Sequence, residues 1–186
     1  GFSDRPPALL GANVGDSGTG MHTVIGILAA LVQRNITGKG QMVEVAMQEA
    51  VLNLTRVRYT GTLTDGTPEP RQDDEFAGRT GQVGGLFACS EGGPNDYVYM
   101  MIPPENGGMF KAAMDVIGQP TLAADPRFDT QKGRYDNADE IMVIVRDWVK
   151  TKPKRDVMAA FAGKGVPCGA VFDTAEVIAQ PHLRER

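Results

Sequence analysis

This chain has few of the side chains that usually hold metals or disulfides. It contains two cysteines, two histidines and one tryptophan in 186 residues. Cys89 and Cys168 lie far apart and do not suggest the framework of a disulfide-rich secreted domain, so we expect both to be reduced and buried. His22 and His182 have no cysteine, histidine or carboxylate at metal-ligand spacing, and no metal site is predicted.

The sequence also lacks a basic surface and a long apolar run. Nineteen Lys and Arg residues stand against 23 Asp and Glu residues, for a net charge of −4. This balance argues against nucleic acid, which requires a basic stripe. No apolar run reaches the about 18 residues of a membrane-spanning helix, and no signal peptide is visible. The composition predicts a soluble cytoplasmic protein that can bury the core of one or two domains.

The most informative segment that is present, residues 15–20, has the sequence Gly-Asp-Ser-Gly-Thr-Gly. Its glycines allow a large ligand to approach the main chain, and a following helix would supply unpaired N–H groups and a partial positive charge. Asp16 is therefore a candidate reactive carboxylate. The alternative is that Asp16, Ser17 or Thr19 is simply the helix N-cap, which the spacing alone favours.

Apolar spacing in the first third of the chain predicts an α/β pattern. A helix is expected over residues 18–34, and because it is apolar on nearly all sides we expect it to be buried. A short strand over 41–46 and a second helix over 47–54 follow. The glycine, proline and acidic residues of 60–80 predict a linker.

The remainder alternates strands and helices. Strands are predicted at 85–89 and 97–102, helices around 110–117, 141–148 and 158–161, then an extended piece at 167–172 and a last helix. We therefore expect the carboxyl-terminal remnant of a large α/β domain over residues 1–59, a linker over 60–80, and a smaller α+β domain over 81–186.

Several motifs together resemble those of one enzyme family. They are residues 15–20 with the apolar helix after them, Thr-Gly-Lys-Gly-Gln at 37–41, Val-Glu-Val-Ala-Met-Gln-Glu-Ala at 43–50, Asn-Asp-Tyr-Val-Tyr at 95–99, Asp-Pro-Arg-Phe at 125–128 and Gly-Val-Pro-Cys-Gly-Ala-Val at 165–171. This set resembles the family III CoA-transferases, the group that contains formyl-CoA:oxalate CoA-transferase. The resemblance covers nearly the whole chain. It implies a Rossmann-like large domain and an internal fragment that lacks an amino-terminal half, where most of the pocket for the CoA nucleotide lies.

The resemblance also implies a mechanism. In this family an aspartate in a matching glycine-rich setting is the nucleophile, and it corresponds to Asp16. CoA would move from an acyl-CoA thioester to a small carboxylic acid through an aspartyl-CoA thioester, with CoA as a substrate and no other cofactor. The backbone N–H groups of Gly18 and Gly20 are candidate oxyanion donors. The resemblance further implies an interlocked homodimer.

Residues 78–85, Gly-Arg-Thr-Gly-Gln-Val-Gly-Gly, form the second candidate for a functional site. They resemble the mobile glycine loop that closes over the aspartate in formyl-CoA transferases, although Thr80 stands where those relatives have a further glycine. We predict that Gly81 and Gln82 shield the acyl intermediate from water, with Gly84 and Gly85 in the same substrate-binding loop. The alternative is a plain flexible connection.

Two other functions stay open. A racemase of 2-methylacyl-CoA would use the same aspartate as a proton-transfer base, but such relatives tend to have Ala-Gly-Gly after it, whereas this chain has Ser-Gly-Thr-Gly at 17–20. That difference favours transfer. The second is a fragment that only self-associates through exposed apolar surface. His22, one to two turns after Asp16, is considered as a packing or hydrogen-bonding residue near the site.

Overall fold

The computed structural model of the protein describes residues 4, 6–68, 71 and 83–186. The chain divides into two compact units, residues 1–71 and 72–186. The division falls inside the segment 60–80 that composition predicts to be a linker. The finer domain limits proposed from the sequence stay predictions.

The first unit consists of helices and irregular segments in its described residues. Helix α1 spans Val14–Thr37 and ends at Gly38, which adopts the left-handed conformation with φ of 71° and donates its N–H to the carbonyl of Arg34. Helix α2 spans Met47–Leu54. A 3-10 turn over Arg56–Tyr59 leads into helix α3, Thr60–Asp65.

Some local predictions for this unit are wrong. Helix α1 begins at Val14 and not at residue 18, because Asn13 takes the N-cap position and the glycines of the motif are accommodated inside the helix. Residues 41–46 form no strand, since alternation of apolar residues does not make a strand without a hydrogen-bonding partner. The first residues of the predicted linker are helical, in α3.

The prediction that α1 is buried is also wrong for the described chain. Gly18 is its only buried residue. Met21, Ile25, Leu28 and Val32 are between 57% and 65% exposed. An apolar helix is buried only where neighbouring elements cover it. Within the first unit, residues of α2 and of the segment before it contact the glycine face of α1 and leave its other faces uncovered.

The second unit is built on a three-stranded antiparallel sheet in the order β1-β2-β3. The strands are β1, Val83–Ala88; β2, Tyr97–Ile102; and β3, Cys168–Ala170. Val83 pairs with Ile102, and Met100 pairs with Cys168 on the other side of β2. The strands predicted at 85–89, 97–102 and 167–172 are confirmed, with small shifts at their ends.

Helices cover the sheet of the second unit, as the spacing of apolar residues predicts. They are α4, Gly107–Ile117; α5, Gln131–Asp136; α6, Ala138–Val149; α7, Lys154–Ala162; α8, Thr174–Ile178; and α9, Pro181–Arg184. A 3-10 helix over Pro120–Ala124 follows α4. Helix α8 starts with a capping box in which Asp173 and Glu176 each bond the other's backbone N–H. The expected α+β domain is confirmed.

The core of the second unit lies between one face of the sheet and these helices. Alternate strand residues point into it, and Phe87, Val98 and Met100 are at most 1% exposed. The helices contribute Phe110, Met114, Ile141, Val145, Val149, Val157 and Phe161. Each such side chain stabilises the fold by about 1.5–3 kcal/mol relative to exposure. This unit therefore buries a core of its own.

Lys154 is a buried cation that joins three parts of the second unit. Its Nζ donates to the carbonyl of Val171 at 2.9 Å and to that of Asn95 at 3.3 Å. It also donates to Glu176 Oε2 at 2.9 Å. The hydrogen bond from Lys154, followed by that from the Asp173 backbone N–H, holds the pKa of Glu176 below its usual range. Lys154 thus ties the β1–β2 turn and the end of β3 to helix α8.

We predict that Lys154→Met lowers the free energy of unfolding by about 1–3 kcal/mol, because it leaves the partly buried carbonyl groups of Asn95 and Val171 without this donor. Trp148, which packs edge-on against Phe161 at 5.5 Å, reports unfolding of this unit in a denaturant titration. The difference in the free energy of unfolding between the parent chain and the variant should shrink as the pH falls through the lowered pKa of Glu176. The ion pair contributes to stability only while Glu176 is ionised.

The matched control is Lys150→Met, which removes an exposed lysine paired with Asp147 three residues earlier. Exposed pairs of this kind contribute about 0–1 kcal/mol, so its denaturation midpoint should stay close to that of the parent chain. Equal midpoints for both variants would contradict the role assigned to Lys154.

Cys89 and Cys168 are free thiols in the structure, the first buried and the second half-buried. Burial, with smaller effects from Asp96 and Glu91, raises the pKa of Cys89 to about 11. Burial and the neighbouring Cys89 raise the pKa of Cys168 to about 12. Reactive cysteines have lowered pKa values, so neither thiol has the environment of a nucleophile.

Both thiols should therefore react slowly with iodoacetamide at pH 8. Their thiolate fractions are on the order of 100-fold or more below that of an ordinary cysteine. We expect the folded chain to be alkylated at least about 100-fold more slowly than the chain in denaturant, with Cys89→Ser and Cys168→Ser assigning each rate. Rapid labelling of the folded chain at either position would show that its thiol is activated.

Candidate active site

Asp16 is the third residue of α1 and is exposed. The N-cap of the helix is Asn13, whose side chain makes no capping hydrogen bond. Within the described part of the chain, the Asp16 carboxylate has no hydrogen-bond or ion-pair partner. The capping alternative is therefore not what the structure shows, and no described residue engages the carboxylate.

The first turn of α1 also presents unused backbone donors. The N–H of Val14 donates to Ala12 O at 2.8 Å, and that of Ser17 donates to Asn13 O at 2.9 Å. Between them, the N–H groups of Gly15 and Asp16 have no acceptor among the described residues. Together with the positive end of the helix dipole, they favour negative charge at this turn.

Gly18 and Gly20, predicted as oxyanion donors in a loop, lie inside α1. Their N–H groups belong to the helical hydrogen-bond ladder because the helix starts four residues before Gly18. This is a correction to the sequence prediction. The donors of the first turn are the N–H groups of Gly15 and Asp16 instead.

The motif glycines on one face of α1 allow α2 to pack closely. A Cβ at position 18 would lie 2.8 Å from Leu54 Cδ1, and one at position 15 would lie 3.3 Å from Met47 Sδ. Gly20, by contrast, has nothing within 4 Å of its Cβ position. Gly15 and Gly18 therefore leave room for the Met47 and Leu54 side chains of α2 beside the turn that holds Asp16.

His22 links the same two helices. Its Nδ1 lies 2.7 Å from the carbonyl oxygen of Gly18, and its Nε2 lies 2.7 Å from Nδ2 of Asn53 in α2. The sequence suggested a packing or hydrogen-bonding role for His22 near the site. Nothing in the sequence pattern pointed to Asn53, because 31 residues separate it from His22 along the chain.

The predicted glycine loop divides between described and undescribed positions. Gly81 and Gln82 lie outside the described residues. Gly84 and Gly85 are buried in β1, where a Cβ at position 84 would come within 3.0 Å of Met100 O and where Gly85 has φ of 133°. Glycine is favoured at both positions by the close approach of β2 and by the backbone conformation of β1. The part of these glycines in substrate binding stays a prediction.

No group of three or more His, Cys, Asp or Glu side chains among the described residues has an arrangement suited to a metal ion. None of the helices in that part of the chain combines the length and the hydropathy needed to cross a bilayer.

Comparison with curated proteins places the chain among CoA-transferases. The sequence profile described as CoA-transferase family III matches residues 1–186. A formyl-CoA:oxalate CoA-transferase of Streptomyces coelicolor is 40% identical over 196 residues, which cover 98% of this chain and 47% of that protein. The protein of the same name from Bradyrhizobium diazoefficiens is 34% identical, with 99% and 47% covered. The chain thus spans about half the length of these relatives.

Solved structures agree with this assignment. A CAIB/BAIF family protein from Brucella suis has a TM-score of 0.69 and 28% identity, covering 100% of this chain and 47% of that one. A hypothetical protein from Mycobacterium tuberculosis shares the fold, with a TM-score of 0.73 and 19% sequence identity. That match covers 97% of this chain and 45% of the Mycobacterium chain. Because the profile match runs through both units, this chain belongs to CoA-transferase family III.

Proposed function

We propose that the protein transfers CoA between an acyl-CoA thioester and a carboxylic acid, with Asp16 as the nucleophile. The observation that carries the proposal is the exposed Asp16 carboxylate, which no described residue engages, in a helical turn with two free N–H groups. Membership of the family and the names of the relatives support formyl-CoA and oxalate as the substrate class. CoA acts as a substrate, and no other cofactor takes part.

The reaction proceeds through three covalent intermediates on Asp16: a donor anhydride, an aspartyl-CoA thioester and an acceptor anhydride. A carboxylate oxygen attacks the thioester carbonyl carbon of the donor, and the CoA thiolate leaves to give a mixed anhydride. The thiolate then attacks the aspartyl carbonyl, which releases the donor acid and forms an aspartyl-CoA thioester. An acceptor carboxylate attacks the aspartyl carbonyl of this thioester, which releases the CoA thiolate and forms a second mixed anhydride. The thiolate then attacks the acceptor carbonyl, which gives the acceptor acyl-CoA and restores the Asp16 carboxylate. Covalent catalysis of this kind divides one difficult exchange into easier steps.

The first turn of α1 supports this chemistry electrostatically. Each tetrahedral intermediate places negative charge on a carbonyl oxygen close to Asp16. The N–H groups of Gly15 and Asp16 and the helix dipole, equivalent to roughly half a positive charge, are suited to stabilise that charge. An anhydride also requires the exclusion of water, for which the glycine loop 78–85 is our candidate from the sequence. A cytoplasmic homodimer is part of the same proposal.

We predict that Asp16→Asn abolishes CoA exchange in a version of the protein extended to the length of its relatives. Loss of the nucleophile should lower kcat by a factor on the order of 10⁴ or more. Exchange is followed by chromatography of the CoA esters, and hydroxylamine trapping with peptide mass spectrometry should find the acyl adduct at position 16 only in the parent protein.

The matched control is Asp156→Asn, which removes an exposed carboxylate from the same third position of helix α7. Its turnover should equal that of the parent protein. Retained exchange in Asp16→Asn would refute the nucleophile. If the parent protein instead exchanges only the α-proton of 2-methylacyl-CoA, and Asp16→Asn stops that exchange, Asp16 is a racemase base.

A further inference from the structure

The structure assigns to His22, held by Asn53, the role of a positioning residue for the turn that bears Asp16. This inference rests on the proposed function of Asp16. It starts from a bridge between α1 and α2, in which one imidazole contacts a backbone carbonyl of α1 and a side chain of α2.

The partners of His22 define its hydrogen-bonding state. The carbonyl of Gly18 can only accept, so Nδ1 carries the proton and donates to it at 2.7 Å. The Nε2 lone pair then accepts from the Nδ2 amide group of Asn53, also at 2.7 Å. A neutral imidazole with its proton on Nδ1 satisfies both contacts. Few side chains offer a donor and an acceptor at opposite ends of a rigid ring, which is what this bridge requires.

The first turn of α1 depends on this bridge because local capping does not hold it. Asn13, the N-cap, makes no side-chain hydrogen bond to the turn. Helix ends without such a bond are less stable by about 0.5–2 kcal/mol. Within α1 the Thr19 hydroxyl donates to the Gly15 carbonyl at 2.6 Å, and α2 contributes apolar side chains there, Met47 beside Gly15 and Leu54 beside Gly18. The His22–Asn53 bond is directional, so it determines the rotation of α1 against α2 where the apolar contacts allow sliding.

His22 acts through this geometry and not as a proton carrier to Asp16. Successive residues of a helix are rotated by about 100°, so a separation of six residues places the two side chains on different faces. His22 is half-buried toward α2, whereas Asp16 is exposed. A rotation of α1 would move the Asp16 carboxylate and the free N–H groups of Gly15 and Asp16 as one body, away from the thioester carbonyl.

The test uses the extended protein with His22→Ala, Asn53→Ala and the double variant. We expect kcat to fall by about 10- to 100-fold, as for a misplacement of about 1 Å, with KM changed by less than about threefold. The double variant should be no worse than either single one, because both remove the same bond. His22→Gln, whose terminal amide can still bond Asn53, should recover part of kcat.

The matched control is Thr23→Val. The Thr23 hydroxyl donates to the Thr19 carbonyl at 2.9 Å, four residues back in the same helix, and forms no hydrogen bond with the described residues of α2. We expect its kcat to match that of the parent protein. Circular dichroism confirms that every variant is folded at the assay temperature. If Thr23→Val lost as much kcat as His22→Ala, the effect of His22 would come only from the stability of the helix. That result would overturn the inference.

An NMR measurement on the chain as it stands tests the bridge apart from activity. In ¹⁵N-labelled protein, the His22 ring should carry its proton on Nδ1, and Asn53→Ala should alter the Nε2 resonance. A proton on Nε2 alone would overturn the bridge. Asp16→Asn, assayed alongside, separates the two proposals: if it is inactive while His22→Ala keeps its kcat, only positioning fails, and if it is active, the nucleophile and the positioning role both fail.

Discussion

The close approach of α1 to α2 is the constraint on which the candidate active site depends. A Cβ at position 18 would lie 2.8 Å from Leu54 Cδ1, so a larger residue there would force the end of the Leu54 side chain to move. The same approach brings Asn53 within hydrogen-bond distance of His22. Since Asn13 makes no capping bond, our proposal assigns the position of Asp16 to helix packing and to the His22–Asn53 bridge. The position of Asp16, the proposed nucleophile, therefore depends on tertiary contact.

The second unit follows a different physical logic. Its sheet and helices bury a continuous apolar core, and the buried ammonium group of Lys154 is fully hydrogen-bonded. The thiols of this unit have raised pKa values because burial disfavours the thiolate. Its described residues thus show the features of a stable scaffold, whereas the exposed carboxylate and the free N–H groups that suit acyl transfer belong to the first unit.

Most of the secondary structure of the second unit could be predicted because one face of each element is buried. Strand β2 alternates Val98, Met100 and Ile102 toward the core, and the core-facing residues of α6 recur at helical spacing. The strand predicted at residues 41–46 from alternating apolar residues is absent. Such alternation shows which side chains could share one face of a strand, but it does not show that a partner strand exists. The prediction that α1 is buried is wrong for the same reason. Apolar side chains favour burial, but they do not show whether another element packs against them.

The candidate site shows a similar limit. Asp16 could be found because a lone carboxylate among glycines is chemically unusual and resembles a family motif. The sequence pattern suggests that the glycines make room for a ligand, whereas in the structure Gly15 and Gly18 make room for Met47 and Leu54. A small residue indicates close approach without indicating what approaches. The His22–Asn53 bridge lay beyond sequence reasoning because it joins positions that only the packing of two helices brings together. A candidate reactive side chain can be recognised from its chemical type and its neighbours in the sequence. A side chain that positions it can be recognised only once the fold is known.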